Sequence, residues 1–116
     1  MITDRRLLET VVDNLVSNAI RYTPAGGHVK VGVTRRGRHL ELVVADSGIG
    51  IDRADLERIF DRFYRVDGAR DRASGGSGLG LALARRAAHA LGSRIEVSSE
   101  VGRGSEFRVL LSDLRA

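Results

Sequence analysis

Two asparagines, Asn14 and Asn18, are spaced so that they could bind a cation together. They lie four residues apart in "DNLVSNAIRYTP", which places them one turn apart on the same side of a helix. A carboxamide oxygen suits Mg²⁺, a cation that keeps several waters and completes its coordination with substrate phosphates. Arg21 follows on this side and could meet a phosphate, and Tyr22 offers a flat aromatic ring. The alternative is that both asparagines bond to neighbouring backbone or face solvent.

A carboxylate at the end of an apolar strand forms a second candidate group. Asp46 follows "HLELVVA" and opens the glycine loop "DSGIGI". A buried carboxylate costs free energy unless it accepts hydrogen bonds, and an exocyclic amine such as that of adenine is a suitable donor. Gly48 and Gly50 would leave room for a base and permit a positive φ. Because Asp-x-Gly is also common in ordinary turns, this loop alone does not decide between the two readings.

A second glycine loop, "GGSGLGL", runs directly into an alanine-rich helix. Backbone N–H groups and the positive end of the helix dipole favour phosphate at such a place, and glycine lets a ligand come close. The two standard phosphate loops do not fit, because the only lysine is Lys30 and because Gly76, Gly78 and Gly80 are evenly spaced. The loop therefore has to be interpreted together with the rest of the chain.

Aromatic and basic residues in "FDRFYR" precede a long polar stretch, "RVDGARDRASGGS". Phe60 and Phe63 are expected to anchor this stretch in the core. A polar segment of this length within a compact domain predicts a functional lid or a disordered segment. Arg65 opens it and Arg62 lies just before it, so either could approach a transferring phosphoryl group, or could simply be a surface residue.

The periodicity of apolar residues predicts the elements that position these groups. A helix over 4–22 is followed by a β-hairpin made of "HVKVGVT" and "HLELVVAD". One or two short helices are expected within 52–63, and a longer helix over 79–91 ends at Gly92. A second hairpin consists of "RIEVSSE" and "SEFRVLL". This order predicts an α+β fold with the helices on one face of a sheet.

The composition excludes several classes of protein. A chain of 116 residues with 42% hydrophobic and 29% charged residues predicts one soluble globular domain, and the absence of cysteine excludes disulfides and thiolate sites. No apolar run is long enough to span a membrane, so we expect a cytoplasmic domain. The net charge of +4 does not indicate nucleic-acid binding, because basic and acidic residues are interleaved and no aromatic residues alternate with the basic ones.

These motifs, taken in order, resemble those of a known family. "NLVSNAIRYTP", "DSGIGI", "IFDRFYRVD" and "GGSGLGLAL" are similar to the N, G1, F and G2 boxes of the ATP-binding catalytic domain of bacterial sensor histidine kinases, in the gyrase/chaperone/kinase/mismatch-repair superfamily. The resemblance runs from about Asp4 to Leu111. It implies a Bergerat fold, which is a two-layer α/β sandwich with a mixed sheet, three helices covering one face and an ATP lid.

The resemblance also implies roles for individual residues. Asn14 and Asn18 would hold Mg²⁺, Asp46 would accept the adenine amine, and Arg65 would reach the γ-phosphate, so that Asn14 and Arg65 are the expected catalytic residues. Contacts with ATP are expected from Asn18, Arg21, Tyr22, Asp46, Gly48, Gly50, Ile51, Phe63, Gly76, Ser77, Gly78, Leu79 and Gly80.

The function implied is to bind Mg²⁺-ATP and present its γ-phosphate to a histidine on a separate dimerisation domain. Asn14 stands where ATP-hydrolysing relatives carry a glutamate, and a carboxamide cannot act as a general base, which favours a kinase over an ATPase. None of His28, His39 and His89 has the acidic neighbour and the helical setting of the family's phosphoacceptor. The chain alone is therefore not expected to autophosphorylate.

The expected partners are the kinase's own dimerisation domain, in a dimer, and a response regulator downstream. The parent protein would be anchored in the bacterial inner membrane. Residues 1–116 would form a single ATP-binding catalytic domain, without the phosphoacceptor domain and without the edge strand that usually precedes the first helix. Two alternatives are a nucleotide-binding regulatory module without phosphotransfer and a basic interaction domain whose glycines serve turns only.

Overall fold

The computed structural model describes residues 5–61 and 79–111, which form an α+β fold of two layers. The predicted order of helix, hairpin, short helix, helix and hairpin is confirmed, whereas the predicted lid lies outside the described residues. The elements are α1 (Arg5–Arg21), β1 (Val29–Arg36), β2 (His39–Asp46), α2 (Arg53–Leu56), α3 (Gly80–Ala90), β3 (Ile95–Glu100) and β4 (Gly104–Leu111).

The four strands form one sheet in the order β1-β2-β4-β3. Each hairpin pairs antiparallel, as a short turn requires, and β2 also pairs antiparallel with β4, which joins the two hairpins. The sheet is therefore antiparallel throughout its described strands, and not mixed as the resemblance implied. A long connection does separate β2 from β4, but these two strands run antiparallel, so no described pair is parallel.

One face of this sheet carries the core. Leu42 and Val44 of β2 lie beside Phe107 and Val109 of β4, and all four are buried. Arg108, which lies between Phe107 and Val109, and other residues of the opposite face are more exposed, because successive side chains of a strand point to opposite sides. The helices therefore have a single apolar surface on which to pack.

The two longer helices cover that face and pack against each other. Val11, Leu15 and Ala19 recur at four-residue intervals on α1 and are buried. The buried side chains of α3 are all alanines, including Ala84 and Ala88, which lets the two helix axes approach closely. None of the three described helices is long and apolar enough to cross a membrane.

Phe60 follows the short helix α2 and anchors it to the sheet. Its ring lies 6.4 Å from the ring of Phe107 at an interplanar angle of 85°, an edge-to-face contact. The guanidinium of Arg85, on α3, lies 5.6 Å from the centre of the Phe60 ring. The prediction that Phe60 is a core anchor is thus confirmed, while Phe63 and Arg62 lie outside the described residues.

The one-sided core predicts different costs for two large side chains of β4. Phe107 is 1% exposed and Leu110, on the opposite face, is 47% exposed. We expect Phe107→Ala to lower the free energy of unfolding by about 3–5 kcal/mol, because it leaves a cavity under the helices. Leu110→Ala is the matched control and should cost about 1 kcal/mol or less. Urea unfolding measures both, and equal costs would contradict a core confined to one face.

Candidate functional site

The side chain of Asn14 is fixed between α1 and the start of α3. Its Nδ2 donates a hydrogen bond to the carbonyl oxygen of Thr10, 2.7 Å away. This bond turns the carboxamide oxygen toward α3, where a Cβ built on Gly80 would lie 3.1 Å from Asn14 Oδ1. Asn18, also half-buried, follows one turn later along this side of α1. The amide nitrogen of Asn14 therefore bonds to neighbouring backbone, as the alternative interpretation held. Its carboxamide oxygen makes no part of that bond and faces the start of α3.

The last residues of α1 hold the first glycine loop. Tyr22 accepts a hydrogen bond at its carbonyl oxygen from the Ile49 amide, 3.2 Å away, and its own amide donates to Asn18 O, also 3.2 Å away. Arg21 and Tyr22 are both half-buried at this end of the helix. The predicted groups on α1 and in the loop are thus brought together by backbone hydrogen bonds.

Asp46 ends β2 and shapes the loop that it opens. One of its carboxylate oxygens, Oδ1, accepts a hydrogen bond from the Gly48 amide at 2.8 Å. The Ser47 hydroxyl oxygen accepts a bond from the His28 amide at 2.8 Å, which fixes the base of the loop to the start of β1. A carboxylate has about four acceptor positions, so Asp46 can accept further donors beyond Gly48. An amine of a ligand is one such donor.

The glycines of this loop serve contacts with the chain itself. A Cβ on Gly48 would overlap the carbonyl of Tyr22, and a Cβ on Gly50 would overlap the carbonyl of Glu100. Gly50 also has a φ of 78°, as the sequence predicted, whereas Gly48 is not among the residues with positive φ. Backbone thus fills the space that a side chain would need at both positions, and the expected contact of these glycines with a base stays a prediction.

Two serines that the sequence analysis missed hold the far side of the loop. The Ile51 amide donates to Ser99 Oγ at 2.7 Å, and Ser99 Oγ lies 2.7 Å from Ser105 Oγ. Ser105 is 8% exposed and is the register partner of Asp46. The alternation of each strand puts these serines on the apolar face of the sheet. A polar residue at an apolar position of the alternating pattern was the sequence signal that could have identified them.

The second glycine motif is described only at its end. Leu79 precedes α3 and its carbonyl accepts the Leu83 amide at 2.9 Å, while Gly80 is the first residue of the helix. These two residues lie at the junction that Asn14 faces. The remaining predicted site residues lie outside the described residues: Phe63, Arg65, Gly76, Ser77 and Gly78.

A shallow hollow of about 360 Å³ lies at the end of the sheet, where Asp46 and Ser105 meet residues of the opposite face. Its other lining residues include Ala45, Ser98 and Glu106. Asp46 is the one predicted site residue among its lining residues, and neither asparagine of α1 lines it, so the hollow overlaps the predicted site only at Asp46.

The described groups suit a phosphorylated ligand whose ring system carries an amine. Two neutral carboxamides lie along α1, an arginine lies at its end, and a carboxylate lies across the helix end in the loop. Carboxamide oxygens are hard ligands that fit a hydrated Mg²⁺, and the orientation of the Asn14 oxygen toward the start of α3 agrees with such a role. A carboxylate that can accept another hydrogen bond fits an amine donor.

Comparison with known proteins identifies relatives of nearly the whole chain. Residues 3–115 match the model of the family described as histidine kinase-, DNA gyrase B-, and HSP90-like ATPase. The sensor-like histidine kinase SenX3 of Mycobacterium bovis is 50% identical over 111 residues, which are 96% of this chain and 27% of SenX3. The sensor histidine kinase WalK of Bacillus subtilis is 46% identical over 110 residues, 93% of this chain and 18% of WalK. The chain thus spans about a quarter or less of these relatives.

Solved structures show the same architecture. The mycobacterial sensor histidine kinase MprB superposes with a TM-score of 0.81 at 30% identity, over 97% of this chain and 76% of the MprB chain. Full-length ShkA in complex with AMPPNP superposes with a TM-score of 0.78 at 30% identity, over 95% of this chain and 22% of ShkA. With the family model matched from residue 3 to residue 115, this chain belongs to the histidine kinase-, DNA gyrase B-, and HSP90-like ATPase family.

Proposed function

We propose that this chain binds Mg²⁺-ATP and presents the γ-phosphate to a histidine on a separate dimerisation domain of a sensor histidine kinase. The observation that carries the proposal is the joining of two groups at the end of α1. The asparagines of α1 and the Asp46 loop are held together through the Tyr22 carbonyl. The asparagines would bind the cation and the phosphates, and Asp46 would bind the base. The backbone contact therefore holds the two halves of one nucleotide site together.

The base end of the nucleotide belongs at Asp46. The carboxylate accepts the adenine amine with the capacity that the Gly48 bond leaves. The complex of ShkA with AMPPNP, an adenine nucleotide analogue, supports this class of ligand because ShkA is similar to this chain over 95% of its length. Tyr22 and Ile51 border the loop and complete the contacts around the base.

The phosphate end belongs between α1 and the start of α3. Asn14 and Asn18 hold Mg²⁺ through their carboxamide oxygens, and the bound cation neutralises phosphate charge. Arg21 contributes a positive charge nearby. Leu79 and Gly80 place the N-terminus of an eleven-residue helix at this end of the site, where backbone N–H groups favour phosphate.

Asn14 restricts the reaction that the site can perform. A carboxamide has no useful basicity, so Asn14 cannot take a proton from an attacking water. It holds the cation instead, and the nucleophile comes from another domain. We assign Arg65 to the γ-phosphate and Phe63, Gly76, Ser77 and Gly78 to the lid that covers the nucleotide.

The partners of this function belong to a longer protein. The named relatives are sensor histidine kinases of which the chain spans 27% in SenX3 and 18% in WalK. We propose that residues 1–116 act as the ATP-binding catalytic domain beside a dimerisation domain that carries the histidine, with a response regulator as the later acceptor. The domain lies on the cytoplasmic side of a parent protein anchored in the inner membrane.

Calorimetric titration with Mg²⁺-ATP tests the nucleotide site. Asp46→Ala should weaken ATP binding by roughly 10- to 100-fold, because a hydrogen bond to a charged group is lost. Asn18→Ala should remove much of the Mg²⁺ dependence while some binding of the base remains. Asp13→Ala, an exposed acidic residue on α1, is the control and should bind as the wild type does. A folded wild type that binds no nucleotide would overturn the proposal.

Gly80→Ala tests whether the Asn14 oxygen serves the cation. The new methyl group would lie 3.1 Å from Asn14 Oδ1 and would push the carboxamide aside. We expect ATP binding in Mg²⁺ to weaken severalfold with no loss of thermal stability, because alanine favours a helix more than glycine does. Gly32→Ala is the matched control, since a Cβ there meets no atom within 4 Å. Unchanged Mg²⁺-dependent binding in Gly80→Ala would contradict this role of Asn14.

Phosphotransfer distinguishes a kinase domain from a regulatory module. We expect label from γ-³²P-ATP to appear on an added dimerisation domain that carries a phosphoacceptor histidine, and none on this chain alone. A variant of the added domain with that histidine replaced is the control. ATP binding without any transfer to the added domain would support the nucleotide-binding regulatory module instead.

A further inference from the structure

We propose that Ser99 is a positioning residue for the nucleotide site, and the proposal rests on the function proposed above. Its hydroxyl lies where the end of the Asp46 loop meets the first two residues of β4. Through one atom it fixes the end of the loop relative to the strand that carries Ser105, the register partner of Asp46. Asp46 would bind the base, and Ser99 would hold the loop that shapes its surroundings.

Three polar partners from two segments, the end of the Asp46 loop and the start of β4, surround the Ser99 hydroxyl. The Ile51 amide donates to it at 2.7 Å. The carbonyl oxygen of Gly104 lies 3.0 Å away and accepts its hydrogen, and the Ser105 hydroxyl lies 2.7 Å away. Ser99 is half-buried and Ser105 is buried, so each unmade hydrogen bond here would cost free energy.

The hydrogen count at this cluster admits one arrangement that satisfies every atom. A hydroxyl has a single hydrogen and two lone pairs. The Gly104 carbonyl can only accept, so Ser99 gives its hydrogen to Gly104 and the Ser105 hydroxyl donates to Ser99. The Ile51 amide fills the second lone pair of Ser99. The serine is thus saturated, and its removal would leave both the Ile51 amide and the Ser105 hydroxyl without this partner.

Ser99 is the side chain that anchors the far end of the loop, whereas Ser47 anchors its base. Ile49 is held by two backbone bonds, in which its amide donates to Tyr22 O at 3.2 Å and its carbonyl accepts the Gly102 amide at 2.9 Å. Ile51 is held by the Ser99 side chain. A substitution of Ser99 can therefore release the end of the loop while the backbone bonds at Ile49 remain.

A released loop weakens binding by lowering the population of the competent form. The apparent dissociation constant rises in inverse proportion to the fraction of molecules in which the loop is correctly placed. Loss of one neutral hydrogen bond lowers the equilibrium constant for placing the loop by about threefold to tenfold, and the affinity falls by at most this factor. The Mg²⁺ dependence should stay as in the wild type, because Asn14 and Asn18 lie on α1 and not on this loop.

Ser99→Ala and Ser98→Ala form a matched pair that tests the proposal. The two serines are adjacent on β3, but Ser98 is exposed on the opposite face of the sheet. We expect Ser99→Ala to weaken ATP binding by up to about tenfold and to speed hydrogen exchange at the Ile51 amide, and Ser98→Ala to do neither. Ser99→Thr keeps the hydroxyl and should restore both. Calorimetry measures the affinity, and NMR measures the exchange.

Two further outcomes keep the test decisive. If Ser99→Ala does not fold, Ser99→Cys takes its place, because a thiol has the same heavy-atom count and is a weak hydrogen-bonding partner. ATP binding by that variant equal to the wild type, or an equal loss in Ser98→Ala, would overturn the proposal. Exchange at Ile51 is measured without nucleotide. A wild type that binds no ATP would therefore refute the proposed function, whereas unchanged exchange in the Ser99 variants would refute this inference.

Discussion

The site depends on one backbone contact between the end of α1 and the Asp46 loop. The Ile49 amide donates to the Tyr22 carbonyl, and Gly48 packs against that carbonyl so closely that no side chain fits. Any residue with a Cβ at position 48 would push the loop away from the helix. The asparagines on α1 and the carboxylate of Asp46 would then no longer be held at a fixed distance from each other. The glycine is therefore required for the distance between two functional groups, and not only for the shape of a turn.

Among the described elements, the helices cover the centre of the sheet more fully than its β1 edge. Val31 and Val33 alternate inward on β1, yet they are 49% and 61% exposed, whereas Leu42 and Val44 beside them on β2 are buried. The difference arises because β1 is at the edge of the sheet, while α1 and α3 pack over the central strands. Asp46 thus lies at the end of a central strand, beside the buried residues of β2 and β4.

Local sequence patterns predicted the elements but not the contacts between them. Four-residue spacing identified α1, and alternation identified both hairpins, because these periods follow from the geometry of a single element. The edge position of β1 and the bond from Ile51 to Ser99 could not be predicted in this way. That bond joins residues 48 positions apart, so it depends on how the second hairpin is placed against the loop. The same holds for Gly48, whose neighbour Tyr22 belongs to a different element.

Asn14 shows how one residue can meet a structural and a chemical demand together. Asparagine is a mediocre helix former because its side chain competes for backbone hydrogen bonds. Here the amide nitrogen makes such a bond to Thr10 within the helix, and in doing so it orients the oxygen toward Gly80. A glutamate in this place would present oxygens only, so it could not donate to the Thr10 carbonyl while ionised. The carboxamide therefore presents a fixed neutral oxygen in place of a base. The proposed function requires this, because there the nucleophile comes from another domain.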